Sequence, residues 1–174
     1  SCIGGKSSIN FKKSKNILGN FYNPSKIIVQ PKFLISLDET EIRSGIGEIL
    51  KVFLLSGPKA IDDLKNRLKL YYEKESDIDD LILKALNFKN EILKIDALDK
   101  GPRLKMNYGH SFGHAIEAAT NFKIAHGIAI TIGIDMANFF AFRKGLLNEK
   151  VFHEIRDLLS VSYTHLTLPT NREV

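Results

Sequence analysis

The chain carries a single cysteine, Cys2, so no disulfide can close within it, and structural zinc held by cysteines is excluded by count. No charged-then-apolar leader of the secretory kind opens it. The longest apolar-rich stretch, Ile124–Phe142, is interrupted by His126, Asp135, Asn138 and two glycines, which suits a buried helix and not a membrane span. Internal repeats and low-complexity tracts are absent. There is also no block of like charge and no run of basic residues interleaved with aromatics, so nothing argues for nucleic acid as a partner. The net charge of +5 comes from lysines scattered along amphipathic segments, a pattern that fits a solvated surface or a basic pocket for a small anion. A cytoplasmic enzyme or binding protein is the expectation.

What is present is enough for one domain or the larger part of two: 174 residues, 44% hydrophobic and 26% charged. Lys26–Gln30 is β-rich and closed by Pro31, and reads as a short strand. From residue 39 the composition turns helical. Ile42, Ile46, Ile49, Leu50 and Phe53 form a broad stripe, and Ser56-Gly57-Pro58 stops it while placing Pro58 in the first turn of the next helix. Ile61, Leu64, Leu68 and Tyr71 continue at helical spacing, as do Ile78, Leu81, Ile82, Ala85 and Ile92. Lys100-Gly101-Pro102 breaks the pattern before a helix expected over 107–120. A further helix is expected over 126–144 with Gly145 as its C′ residue, and a last one through Val151, Ile155, Leu158 and Leu159. Residues 161–174, rich in Thr and lacking an apolar face, read as a non-native tail, similar to one frame of a sequencing adapter.

Chemistry concentrates in Gly109-His-Ser-Phe-Gly-His-Ala-Ile-Glu117 and at His126. His110 and His114 are four apart and share one helix face, close enough to bind one metal ion or one substrate. By spacing alone they are the ligand pair, with His126 as a spare. Glu48 lies on a helix whose apolar residues should bury it, and a buried carboxylate needs a cation or donors. Two histidines and one carboxylate leave a position open on zinc, the arrangement of a catalytic metal and not of a closed structural one. A rival reading takes Gly4-Gly5-Lys6-Ser7 as the end of a phosphate-binding loop, although the Ile27–Gln30 segment offers no acidic residue for Mg²⁺.

Five blocks in order carry a resemblance: Cys2–Lys6 with Gly19–Pro24, Arg43–Lys51, Lys100–Arg103, Asn107–His114, and His126-Gly127. Together they resemble the 3-dehydroquinate synthase family of sugar-phosphate cyclases. The resemblance implies an α/β remnant of a Rossmann-like NAD-binding domain over residues 1–40. An all-α metal- and substrate-binding domain follows over 41–160. It implies conversion of a seven-carbon keto-sugar phosphate acid to 3-dehydroquinate with phosphate release, using NAD and Zn²⁺ or Co²⁺. It assigns the metal to Glu48, His110 and His126, replacing the pairing read from spacing, and leaves His114 facing substrate. Lys51, Lys89, Arg103, Asn107 and Asn16 match substrate contacts. Lys6, Lys15 and Phe33, Leu34, Ile35 and Ser36 match the cofactor side. The expected partner is a small anionic phosphorylated substrate, and pairing into a homodimer is left open. Ile128, Pro102 and Val52-Phe53 depart from the usual pattern, so a sibling cyclase and a metal-dependent polyol dehydrogenase stay as alternatives. Without the Gly-rich pyrophosphate turn of the family's front half, the chain alone is expected to have weak or no activity.

Overall fold

The computed structural model describes residues 3–12, 14–74 and 78–163, with side chains described throughout these except at 10 and 14–16. They form an antiparallel hairpin, β1 (Lys6–Phe11) and β2 (Ser14–Phe21), and six helices. The helices are α1 (Glu39–Leu55), α2 (Pro58–Tyr72), α3 (Asp79–Ile95), α4 (His110–Ala119), α5 (His126–Arg143) and α6 (Glu149–Ser160). Short 3-10 turns cover Pro31–Ser36 and Pro102–Asn107. Among the described residues no helix is long and apolar enough to cross a membrane.

Two compact units result, one from Ser1–Ser36 with Leu55–Met106 and the other from Leu37–Leu54 with Asn107–Val174. In the first, the hairpin pairs Lys6 with Phe21 and Ile9 with Leu18, and a bulge falls between Ile9 and Phe11. The strand expected over 26–30 does not form: these residues lie outside any ladder, and Ile27, Ile28 and Val29 are exposed. A β-rich sequence becomes a strand only where a neighbour completes its hydrogen bonds, and the hairpin is built from other residues. The phosphate-loop reading fails on the same ground. After the Gly4-Gly5 turn the chain enters β1 at Lys6, where a phosphate loop would enter a helix. Leu64, Leu68, Leu81 and Ala85 are the buried residues of the α2 and α3 stripes, and Lys84 Nζ donates to Asp63 across the two helices at 2.7 Å.

The turn after α3 is held by one carboxylate. Asp96 accepts backbone N–H bonds from Lys100, Gly101 and Arg103 at 2.7 to 3.1 Å. These bonds, led by that from Lys100, hold its carboxyl below the ordinary value of 3.8. A depressed carboxyl contributes stability above its unfolded pKa and loses it as pH falls toward the folded value. The acid limb of thermal unfolding below about pH 4 should therefore be shallower in Asp96→Asn than in the parent chain. Equal slopes in the two would contradict that assignment.

In the second unit, Asp38 caps α1 by accepting from the Glu41 amide at 2.9 Å, and the stripe read from the sequence is buried at Ile46, Ile49, Leu50 and Phe53. Helix α5 is apolar on nearly every side and supplies the centre, with Ile128, Ala129, Ile130 and Ile134 fully buried. Its end is as expected: Gly145 sits just past the last turn at φ +70°, a conformation that costs glycine little. Helix α6 is capped by Asn148 and tied to α5 by a two-pronged Arg156–Asp135 pair at 2.8 and 3.0 Å. Helix α4 starts at His110, later than expected, because residues 102–107 take up a 3-10 turn. Val161–Tyr163 form a turn in which Ser162 is buried, and the remainder of the segment read as a tail lies outside the described residues.

Candidate metal centre

Three helices of the second unit bring the chemistry together. Helix α1 carries Glu48 and Lys51, α4 carries His110, His114 and Glu117, and α5 opens with His126. The α1–α5 crossing fixes the span from Glu48 to His126. Gly47 lies so close to α5 that a Cβ there would meet the Gly127 oxygen and Thr131 Oγ1 at 2.5 Å. Ser44 Oγ accepts the Gly127 amide at 2.9 Å. With the backbones held this near, one ligand atom each from Glu48, His110 and His126 lies within 4.8 Å of the others. The pair chosen by spacing, His110 and His114, has ring centroids 5.3 Å apart, and His110 and His126 are 5.7 Å apart.

The hydrogen bonds fix what each ring can offer. His110 Nδ1 is 3.1 Å from the Tyr108 carbonyl, which can only accept, so that nitrogen carries the proton and Nε2 keeps its lone pair. Tyr108 is held in turn by its hydroxyl, which donates to Asn138 Oδ1. Burial, then the nearby Lys51 charge, pushes the His110 imidazole down to about 4, against the pull of the Tyr108 carbonyl and Glu48. It is neutral at pH 7, the form that binds a metal. His126 Nδ1 lies 3.0 Å from Glu117 Oε1, and its Nε2 lies 3.7 Å from Glu48 Oε1. Burial would raise the Glu48 carboxyl, but Lys51 and the two imidazoles outweigh it and hold the group below its ordinary value. Lys51 is itself buried, with Nζ 2.8 and 3.1 Å from the two Glu48 oxygens.

This donor set of two imidazoles and one ionised carboxylate fits a divalent ion such as zinc with an open coordination position. His114, Glu117 and His126 form a second compact group, overlapping the first through His126. Glu117 was not singled out from the sequence, although its place three residues after His114 puts it on the same helix face. A carboxylate at that spacing is the signal that could have found it.

The other expected site residues fall elsewhere. Asn107 is exposed in the same unit, at the end of the 3-10 turn before α4. The remainder lie in the first unit. Arg103 is buried there, its guanidinium donating to the carbonyls of Ala97 at 2.5 Å and Gly4 at 3.1 Å. Lys6 pairs with Asp99 at the start of β1. Lys89 is half-buried on α3. The 3-10 turn Pro31–Ser36 leaves Phe33 and Ile35 exposed and Leu34 half-buried, with the Ser36 hydroxyl donating to the Phe33 carbonyl. Lys15 and Asn16 lie on β2, and their side chains are outside the described residues.

The chain as a whole is similar to known proteins. The profile described as 3-dehydroquinate synthase C-terminal matches residues 45–173, and that described as 3-dehydroquinate synthase N-terminal matches residues 1–44. The 3-dehydroquinate synthase of Sulfurisphaera tokodaii is 37% identical over 168 residues, which cover 95% of this chain and 48% of the relative. That of Dictyoglomus thermophilum is 35% identical over 161 residues, covering 91% and 45%. The chain thus spans about half the length of these relatives. Among solved structures, the 2-epi-5-epi-valiolone synthase ValA of Streptomyces hygroscopicus subsp. jinggangensis 5008, with NAD⁺ and Zn²⁺ bound, superposes with a TM-score of 0.83 at 27% identity. That match covers 97% of this chain and 48% of ValA. The fold is that of the sugar-phosphate cyclases, and the chain belongs to the 3-dehydroquinate synthase family.

Proposed function

We propose that the chain provides the metal centre and substrate-binding residues of a cytoplasmic 3-dehydroquinate synthase. In this reading residues 1–40 belong to a Rossmann-like NAD-binding domain and residues 41–160 to the metal- and substrate-binding domain. The substrate is a seven-carbon keto-sugar phosphate acid, which loses phosphate and closes to a carbocycle. The observation that carries the reading is the convergence of Glu48, His110 and His126 within 4.8 Å. The relatives at 33 to 37% identity share that named activity.

Bound there, a divalent ion would supply Lewis acidity toward a substrate oxygen while NAD takes and returns a hydride. In this reading the chain's own side chains do the positioning. Lys51 helps hold the Glu48 carboxyl below its ordinary value, so Glu48 can serve as an ionised ligand. The Lys51 ammonium, brought against Glu48 by the i,i+3 spacing, adds positive charge where an anionic substrate would come. His114, its ring 5.9 Å from that of His126, can hold or pass a proton at a hydroxyl of the sugar. Lys89, Arg103, Asn107 and Asn16 are assigned to the carboxylate, hydroxyls and phosphate. Lys6 and Lys15 are assigned to the nucleotide side. Phe33 and Ile35, 76% and 93% exposed, offer an apolar surface that the face of a planar nicotinamide can cover.

Metal- and NAD-dependent phosphate release is the test, measured on the chain alone and on a chimera that joins it to the front half of the Dictyoglomus relative. The chain alone should be weak or inert and the chimera active on the keto-sugar phosphate acid. A folded, metal-loaded chimera that turns over only a keto-sugar phosphate lacking the carboxylate would assign the chain to a sibling cyclase. One that merely oxidises simple polyols would place it with the dehydrogenases.

A further inference from the structure

Glu117 is 4% exposed on α4 and faces two imidazoles. Its Oε1 lies 3.0 Å from His126 Nδ1, and its Oε2 lies 3.9 Å from His114 Nε2. Burying a carboxylate is costly without donors, so the cost must be offset by contacts of this kind. The positions 110, 114 and 117 follow the four-then-three spacing of one helix face, which is how two successive turns of α4 present a candidate ligand, a substrate-side imidazole and this carboxylate together. His126 stands between two acids, with Nδ1 toward Glu117 and Nε2 toward Glu48.

The geometry points to Glu117 as the positioning residue of the metal centre: it accepts the Nδ1 proton of His126, turns the ring, and leaves the Nε2 lone pair facing Glu48. This rests on the metal centre proposed above. The His110 ring is fixed in the same way by the Tyr108 carbonyl, so both imidazoles present the same nitrogen. Carboxylate and carbonyl partners on the far nitrogen of ligating histidines set tautomer and orientation, and their loss costs about 10–100-fold in metal affinity. The competing use of Glu117, as a ligand in the group with His114 and His126, would place the ion on the Nδ1 side of the ring.

Long-range proton–nitrogen NMR on the ¹⁵N-labelled chain reads the tautomer directly, first metal-free and then with Zn²⁺ added. His126 should be the Nδ1–H tautomer in the parent chain and bind Zn²⁺ through Nε2. In Glu117→Ala the tautomer preference should vanish, and affinity for Zn²⁺ should drop by about 10–100-fold. Glu117→Gln, whose amide oxygen can still accept, should keep the tautomer and recover most of the affinity. Glu117→Gln keeps the test decisive if the alanine variant fails to fold. A His126 protonated on Nε2 in the metal-free parent, Zn²⁺ on Nδ1, or unchanged tautomer and affinity in Glu117→Ala would each overturn the assignment. A parent chain that takes up no Zn²⁺ but shows the expected tautomer and its loss in Glu117→Ala would sink the metal centre alone and leave the orienting role of Glu117 standing.

Discussion

Gly127→Ala should destabilise the second unit by about 3 kcal/mol or more, the upper range for forcing extra volume into a packed site. A Cβ at 127 would overlap the Ser44 carbonyl oxygen and lie 2.7 Å from its carbon. Both are backbone atoms of α1, so no side-chain rotation can relieve the clash. The helices must separate or α5 must slide, and either movement carries His126, the preceding residue, away from Glu48. Stability and metal uptake should therefore fall together. Gly45→Ala is the matched control. That position is exposed on the same helix α1, nothing lies within 4 Å of its would-be Cβ, and alanine is favoured over glycine in a helix interior by about 1 kcal/mol. Urea unfolding of the two variants checks the pair: a large loss for Gly127→Ala and a neutral or stabilising change for Gly45→Ala. Equal midpoints would refute the close crossing.

The second large effect concerns the ligands themselves. His110→Ala and His126→Ala should each weaken Zn²⁺ or Co²⁺ binding by more than about 100-fold, exceeding the range for partners outside the coordination sphere. The fold should survive both changes, because neither ring belongs to the apolar core of α5. Glu48→Gln should be at least as damaging to affinity, yet it is a less clean probe. It removes the charge that compensates the buried Lys51 ammonium, 5% exposed at its side chain, and a buried cation stripped of its partner is itself destabilising. The histidine variants are therefore the sharper instruments.

The helices were legible and the hairpin was not, for reasons that differ in kind. Helices α1 to α3 and α6 announce themselves because one face is buried: Ile46, Ile49, Leu50 and Phe53 return at helical spacing and all lie inside. In the hairpin Ile9, Phe11, Ile17, Leu18 and Phe21 are all roughly half exposed or more, so no buried face imposed a period-two pattern to read. The segment 26–30 misled in the opposite direction, having the composition of a strand but no pairing strand among the described residues. At the site, spacing found the imidazoles and paired His110 with His114, whereas the group that gathers one ligand atom each with Glu48 is His110 and His126. Positions 110 and 114 share a helix, whereas the carboxylate and the third imidazole are 78 residues apart and meet only because Gly47 and Gly127 let α1 and α5 touch. The family resemblance is what pointed to Glu48 and His126 as candidate ligands. Glu117 escaped both routes, since a carboxylate near a histidine on a helix is common and its role depends on which ring nitrogen it meets.

The central claim is that Glu48, His110 and His126 share one divalent ion. Anomalous diffraction at the zinc edge from Zn²⁺-loaded crystals tests it most directly. The expected result is one strong peak about 2.0–2.2 Å from an oxygen of Glu48 and from Nε2 of both histidines, absent in His110→Ala. A peak bound by other residues, or none at this cluster, would contradict it.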